Sequence, residues 1–134
     1  MRTNLKIRIL VAEDELVGRN KLRAILRSYG DCDSVTNGKD ALESVTTAWQ
    51  SKAPYDLLFL DIEMPVMDGL SVLREIRNQE ASRAVPAEKK VKIIMTTSHS
   101  DGDTVTQCIR EGCNDYIVKP VNIGIVAKKI ARFI

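Results

Sequence analysis

Apolar residues in this chain come in two rhythms, and the alternation between them predicts the architecture. Short apolar runs rich in Ile, Val and Leu occur at 7–13 (IRILVAE), 56–61 (DLLFLD), 91–96 (VKIIMT) and 115–119 (DYIVK), with a weaker run at 32–36 (CDSVT). The four stronger runs lack the polar alternation of a sheet with one wet face. They predict strands of a parallel sheet covered on both sides. Between them, apolar positions fall at helical spacing. Leu22, Ile25, Leu26 and Tyr29 form one stripe within 15–29, with Gly30 as the expected helix stop. Ala41, Leu42, Val45 and Trp49 form a second within 39–50. Leu70 and Leu73 begin a third over 70–77, which turns outward at Ile76 or Arg77. Helices over 103–111, ending at Gly112, and over 121–134, with Ile125, Val126, Ile130 and Phe133 on one stripe, complete the series. Five strand–helix units predict one α/β domain over 1–134, a doubly wound five-stranded parallel sheet with right-handed crossovers. The polar stretch 78–90 (NQEASRAVPAEKK), with Pro86 near its centre, predicts a helix end and a mobile loop without chemistry.

Composition narrows the function classes. The chain has 134 residues, enough to bury roughly two thirds of its unfolded surface in one domain. Its 20 basic and 18 acidic residues nearly cancel, and aromatics make up only 4%, so neither nucleic-acid nor membrane binding is expected. The N-terminus has no long apolar core of a secretion signal, and no run reaches the ~20 residues of a membrane span. A cytoplasmic protein is the expectation. Cys32, Cys108 and Cys113 are odd in number and contain no CxxC pair, so they read as buried or half-buried thiols and not as metal ligands.

Chemistry concentrates where the strands end. In doubly wound sheets, ligands bind at the carboxyl ends of the strands. There the first strand delivers Glu13 and Asp14, the third Asp61, the fourth Thr96, Thr97 and Ser98, and the fifth Lys119 and Pro120. Each has an ordinary reading: Asp14 as a helix cap, Asp61 in an Asx turn, Thr97 as loop polarity, Lys119 as a solvated lysine. Together they pose a problem of repulsion, since two carboxylates about 4 Å apart repel by roughly 4 kcal/mol at an effective dielectric near 20. Clustered acids share protons or hold a cation. Carboxylates with a carbonyl and water suit Mg²⁺, whose shell phosphate oxygens often complete. With a lysine and a hydroxyl opposite, the set describes a phosphoryl-accepting site with Asp61 as nucleophile.

The segments ILVAEDE, LLFLDIEMPVMDG, IIMTTS and DYIVKP resemble, in order and spacing, the receiver domain of two-component response regulators. The resemblance covers essentially the whole chain, and DxxMPxMDG is its most specific part. It implies a CheY-like, flavodoxin-like (βα)5 fold with strand order 2-1-3-4-5. It implies a signalling switch in which Asp61 takes a phosphoryl group from a sensor histidine kinase or phosphotransfer protein. Mg²⁺, with Mn²⁺ able to replace it, would be held by Asp14, Asp61 and the Glu63 carbonyl, with Glu13 completing the acidic pair. Thr97 would bind a phosphoryl oxygen, Lys119 would pair with Asp61 and then the phosphate, and Tyr116 would turn inward on activation. The Lys119–Pro120 bond is cis in the family. Output would pass to an unknown partner, or to a phosphorylation-dependent homodimer, through the fourth helix, fifth strand and fifth helix. Such a domain performs its own phosphotransfer and dephosphorylation without being a turnover enzyme. Val17, Asn20 and Lys21 on the first helix are candidate kinase-specificity contacts.

The chain departs from the family pattern at four places. Its acidic pair is Glu-Asp instead of Asp-Asp, and Glu13 could reach the metal through water. Glu63 and His99 stand two residues after Asp61 and Thr97, where they would flank the attacking water and tune the phosphate lifetime. Glu63 is expected to slow dephosphorylation and to pair with Lys119 before activation. Stretch 78–90 is longer than the family's usual connection. Two rivals remain: a haloacid-dehalogenase-type phosphatase, which needs Asp at 63, and a degenerate receiver acting only as a binding module. A nucleotide-binding Rossmann domain is excluded because EDELVG lacks the required glycines.

Overall fold

The computed structural model describes residues 7–99 and 102–134. Residues 1–6, read above for a secretion signal, lie outside the described residues. The elements alternate throughout: β1 (Ile7–Ala12), α1 (Leu16–Leu26), β2 (Gly30–Val35), α2 (Gly38–Gln50), β3 (Leu57–Asp61), α3 (Gly69–Ser82), β4 (Lys92–Thr97), α4 (Gly102–Arg110), β5 (Asp115–Val118) and α5 (Ile123–Ile130). A short 3-10 turn, Ala87–Lys89, precedes β4. All strand pairings are parallel, in the order β2-β1-β3-β4-β5.

The unbroken apolar runs are explained by two cores, one on each face. Successive side chains of a strand point to opposite faces. Leu10, Leu58, Leu60, Ile93 and Met95 therefore pack with Ala41, Val45, Val72, Leu73 and Ile76 of α2 and α3. Ile9, Val11, Phe59, Ile94 and Ile117 pack with Leu22, Leu26, Val126 and Ile130 of α1 and α5. Every residue of β3 is buried. Full burial of such side chains contributes roughly 1.5–3 kcal/mol each. Among the described residues, no helix is long and apolar enough to cross a membrane.

Four expectations need correction. Gly30 does not stop α1, which ends at Leu26 with Arg27 as its cap; Gly30 opens β2. A Cβ there would lie 2.0 Å from the Ile7 carbonyl oxygen, so backbone contact excludes a side chain. Helix α3 does not turn outward at 76–77. Ile76 is buried, and the helix continues to Ser82 because Glu80 is fully buried with partners of its own. The Arg77 guanidinium donates to Glu80 at 2.6 Å and to the Gly112, Val91 and Asn114 oxygens, while Glu80 accepts from the Val91 N–H at 2.9 Å. Stretch 78–90 is thus anchored as helix and 3-10 turn, not a mobile loop. Helix α5 is shorter than 121–134, and Ile125 is exposed while Val126 and Ile130 are buried. The three cysteines are free thiols, Cys108 buried and the others half-buried. Burial pushes the Cys113 thiol up to about 11.

Candidate functional site

The parallel register brings the sequence-predicted residues to one rim. Ala12 pairs with Leu60, Asp61 with Thr96, and Thr97 with Val118, so Glu13, Asp61, Thr97 and Lys119 end adjacent strands. Asp61 is 1% exposed and Glu13 5%. Lys119 Nζ lies 2.8 Å from both Glu13 Oε1 and Asp61 Oδ2. The other Asp61 oxygen accepts from the Glu63 N–H at 3.1 Å, an Asx turn that orients the carboxylate. The loop that follows returns at Gly69, whose N–H donates to the Ile62 carbonyl; a Cβ at Gly69 would meet the Asp61 carbonyl oxygen at 2.2 Å. Between them Val66 has φ +72°, a left-handed conformation that costs a β-branched residue roughly 1–2 kcal/mol.

Asp14 is exposed and does not cap α1; Glu15 occupies the cap position and makes no side-chain cap bond. The helix-cap reading of Asp14 therefore fails. One carboxylate oxygen each from Glu13, Asp14 and Asp61 lies within 4.8 Å of the others. Burial, then the hydrogen-bonded Glu13 carboxyl, lift Asp61 to about 7 against the opposing pull of Lys119. Glu13 is also desolvated, yet its bonds to Asp61, Lys119 and the Glu15 N–H hold it below the usual range. Desolvation pulls Lys119 down, but Asp61 and Glu13 outweigh it and raise its pKa. Three acids against one lysine leave excess negative charge at a partly open rim. A hard divalent cation with oxygen ligands fits this donor set.

Glu63 does not pair with Lys119 as expected. Its carboxylate accepts from the Thr97 hydroxyl, 3.1 Å from Oε2, and from the Ser98 N–H, 3.2 Å from Oε1. Lys119 is occupied by Glu13 and Asp61, which reach it from strands nearer the sheet centre. Nor is Glu13 disposed only toward a metal. One of its oxygens is taken by Lys119, and the other accepts from the Glu15 N–H at 3.2 Å. Thr97 is buried, and its oxygen accepts from the His99 N–H at 3.0 Å; the His99 residue itself is exposed. Tyr116 is half-buried, with Lys129 Nζ 5.4 Å from its ring centre. The Lys119–Pro120 bond is cis.

One side chain and one backbone donor have roles that the sequence reading did not assign. The Arg19 guanidinium donates to the Glu13 and Asp14 carbonyls at 3.1 and 3.4 Å and braces the acidic loop. Its place one helical turn into α1 was a weak available signal. The Ser98 N–H is a backbone group, and no residue type marks it.

A family model described as the response regulator receiver domain matches residues 9–131. The rice two-component response regulator ORR41 is 31% identical over 126 residues, covering 92% of this chain and 93% of that protein. Hybrid signal transduction histidine kinase L of Dictyostelium discoideum is 34% identical over 127 residues, 94% of this chain. The chain spans only 7% of that kinase and 11% of the similar kinase F. Among solved structures, the Ssk1 receiver domain of Saccharomyces cerevisiae, crystallised with the histidine phosphotransfer protein Ypd1, superposes with a TM-score of 0.83. Its identity is 27%, over 96% of this chain and 89% of that one.

Proposed function

Because the chain belongs to the response regulator receiver domain family, and so serves as a phosphorelay signalling switch, we propose that Asp61 is its phosphoacceptor and that Glu13, Asp14, Thr97 and Lys119 equip it. The convergence of Lys119 on the buried Asp61 beside two further carboxylates is the observation that carries this reading.

In the proposed reaction an Asp61 oxygen attacks the phosphorus of a phosphohistidine. The O–P bond forms, the P–N bond breaks, and the imidazole leaves with its electron pair. Rigid positioning and charge neutralisation are most of what such a transfer needs. The apolar strand β3 supplies the first. For the second, Mg²⁺, or Mn²⁺ in its place, would be held by Asp14, Asp61 and the Glu63 carbonyl, with Glu13 behind, and would neutralise charge on the phosphoryl oxygens. Lys119 already touches Asp61 and can follow the new negative charge. Thr97 would donate its hydroxyl to a phosphoryl oxygen, and Tyr116 would fill the space so released. The surface of α4, β5 and α5 would then present a changed face to an output partner or a second copy of the chain.

The donor would be a histidine kinase or phosphotransfer protein, as the Ypd1 complex of the similar Ssk1 receiver suggests. Around the rim, Leu16, Val17, Val66 and Ile123 are exposed apolar residues that a helical partner could cover.

Incubation with acetyl phosphate and Mg²⁺, followed by mass spectrometry, tests the assignment. One lasting phosphoryl adduct, lost on hydroxylamine treatment and absent from Asp61→Asn, is expected. An adduct that persists in Asp61→Asn overturns it, as does steady turnover of acetyl phosphate or no adduct at all.

A further inference from the structure

The Glu63 carboxylate already occupies the donors that the fourth strand aims at the acidic rim. The Thr97 hydroxyl reaches both of its oxygens, at 3.1 and 3.4 Å, and the Ser98 N–H donates at 3.2 Å. Thr97 Oγ1 accepts from the His99 N–H, so its own proton is committed to Glu63. Two donors on one carboxylate make an anion cradle. It adjoins the acceptor, because Thr96 pairs with Asp61 across the sheet and the Glu63 N–H lies 3.1 Å from Asp61 Oδ1. Glu63 is nonetheless an exposed residue, held over the rim by these bonds and not by packing. Its side chain can swing into water without opening a cavity.

We propose that Glu63 is an internal stand-in for the phosphoryl group: its carboxylate fills the Thr97–Ser98 cradle in the resting protein and must leave before a phosphoryl group on Asp61 can use those donors. This rests on Asp61 being the acceptor and adds a positioning residue that sets how readily the switch is thrown. Glu63 acts through Thr97 and Ser98 and does not touch the reacting atoms. The phosphoryl group wins the competition because it is doubly charged and tethered to Asp61. It binds less tightly than it would to an empty cradle.

Beryllofluoride with saturating Mg²⁺, a phosphoryl analogue that forms on carboxylates, is the probe. Its affinity is measured by calorimetric titration for wild type, Glu63→Gln, Glu63→Ala and Glu63→Asp, and the Ser98 amide proton is followed by NMR. Glu63→Ala should bind about tenfold or more tightly than wild type, since it removes a competitor held by charge-assisted bonds. Glu63→Gln should fall between them. Glu63→Asp keeps the charge but cannot span to Thr97, so it should resemble Ala. In each variant without analogue the Ser98 amide proton should move upfield as its carboxylate partner is lost. Equal affinity in wild type and Glu63→Ala, an unmoved Ser98 resonance, or an Asp variant that matches wild type overturns the stand-in while leaving Asp61 as acceptor. Failure of every variant to bind the analogue overturns both readings.

Discussion

Replacing Asp61 by Asn should stabilise the metal-free protein, and the gain should grow with pH. The buried carboxyl is lifted from 3.8 to about 7, chiefly by desolvation and then by Glu13. At about 1.4 kcal/mol per pH unit, keeping it ionised in the fold costs roughly 4 kcal/mol. That figure is already net of the 2.8 Å bond from Lys119, which pulls the carboxyl the other way. A gain of about 4 kcal/mol is therefore expected above neutrality, or a rise in Tm of roughly 10–20 °C for a domain of this size. The sign follows from linkage. The folded carboxyl binds its proton more tightly than the unfolded one, so wild-type stability falls as pH rises from about 4 to about 7. Asn has no such proton, so the two stability curves converge near the acid end and separate fully above neutrality. Calorimetric melts in chelator across that range measure the gap. Mg²⁺ should then close it by stabilising wild type more than the variant. A variant less stable than wild type in chelator above neutrality refutes the reasoning, as does a gap that does not shrink on acidification.

Other perturbations test the surrounding structure. Glu80→Gln should destabilise by about 3 kcal/mol in urea unfolding, because it strips the half-buried Arg77 guanidinium of its only carboxylate among the described residues; a cost below about 1 kcal/mol would mean the other three acceptors suffice. Val66→Gly should raise stability by about 0.5–1 kcal/mol through relief of the +72° φ, net of glycine's added freedom; a loss on thermal melting would show that the loop is not strained. Glu63→Asn should speed decay of the acyl phosphate, followed by loss of the phosphorylated band, because it removes a negative charge that adds to the repulsion around the phosphoryl oxygens beside the water's path. Slower decay would remove that role from Glu63.

The strand ends were legible because an apolar run followed by a carboxylate, a threonine or a lysine is a local signal. Asp61, Thr97 and Lys119 each stand where their strand closes, and the structure joins them on one rim. Glycine was less legible. Gly30 looks like a helix stop in one dimension, and only the approach of the Ile7 carbonyl shows why no side chain fits. Stretch 78–90 looked mobile because its residues are polar. Glu80 is buried because Arg77, one turn before it, and the Val91 N–H meet its carboxylate, and Arg77 is itself held by Gly112 and Asn114 from far along the chain.

The sequence by itself determined the alternation of strands and helices and which side chains stand at the strand ends, since both follow from spacing and residue type. Tertiary structure decided which charge meets which. Whether Lys119 turns to Glu63 or to Glu13, and whether Glu63 finds Thr97, depends on distances of a few ångströms between strands separated by dozens of residues. Electrostatic energy varies with those distances and with burial, and neither is written in the order of the residues.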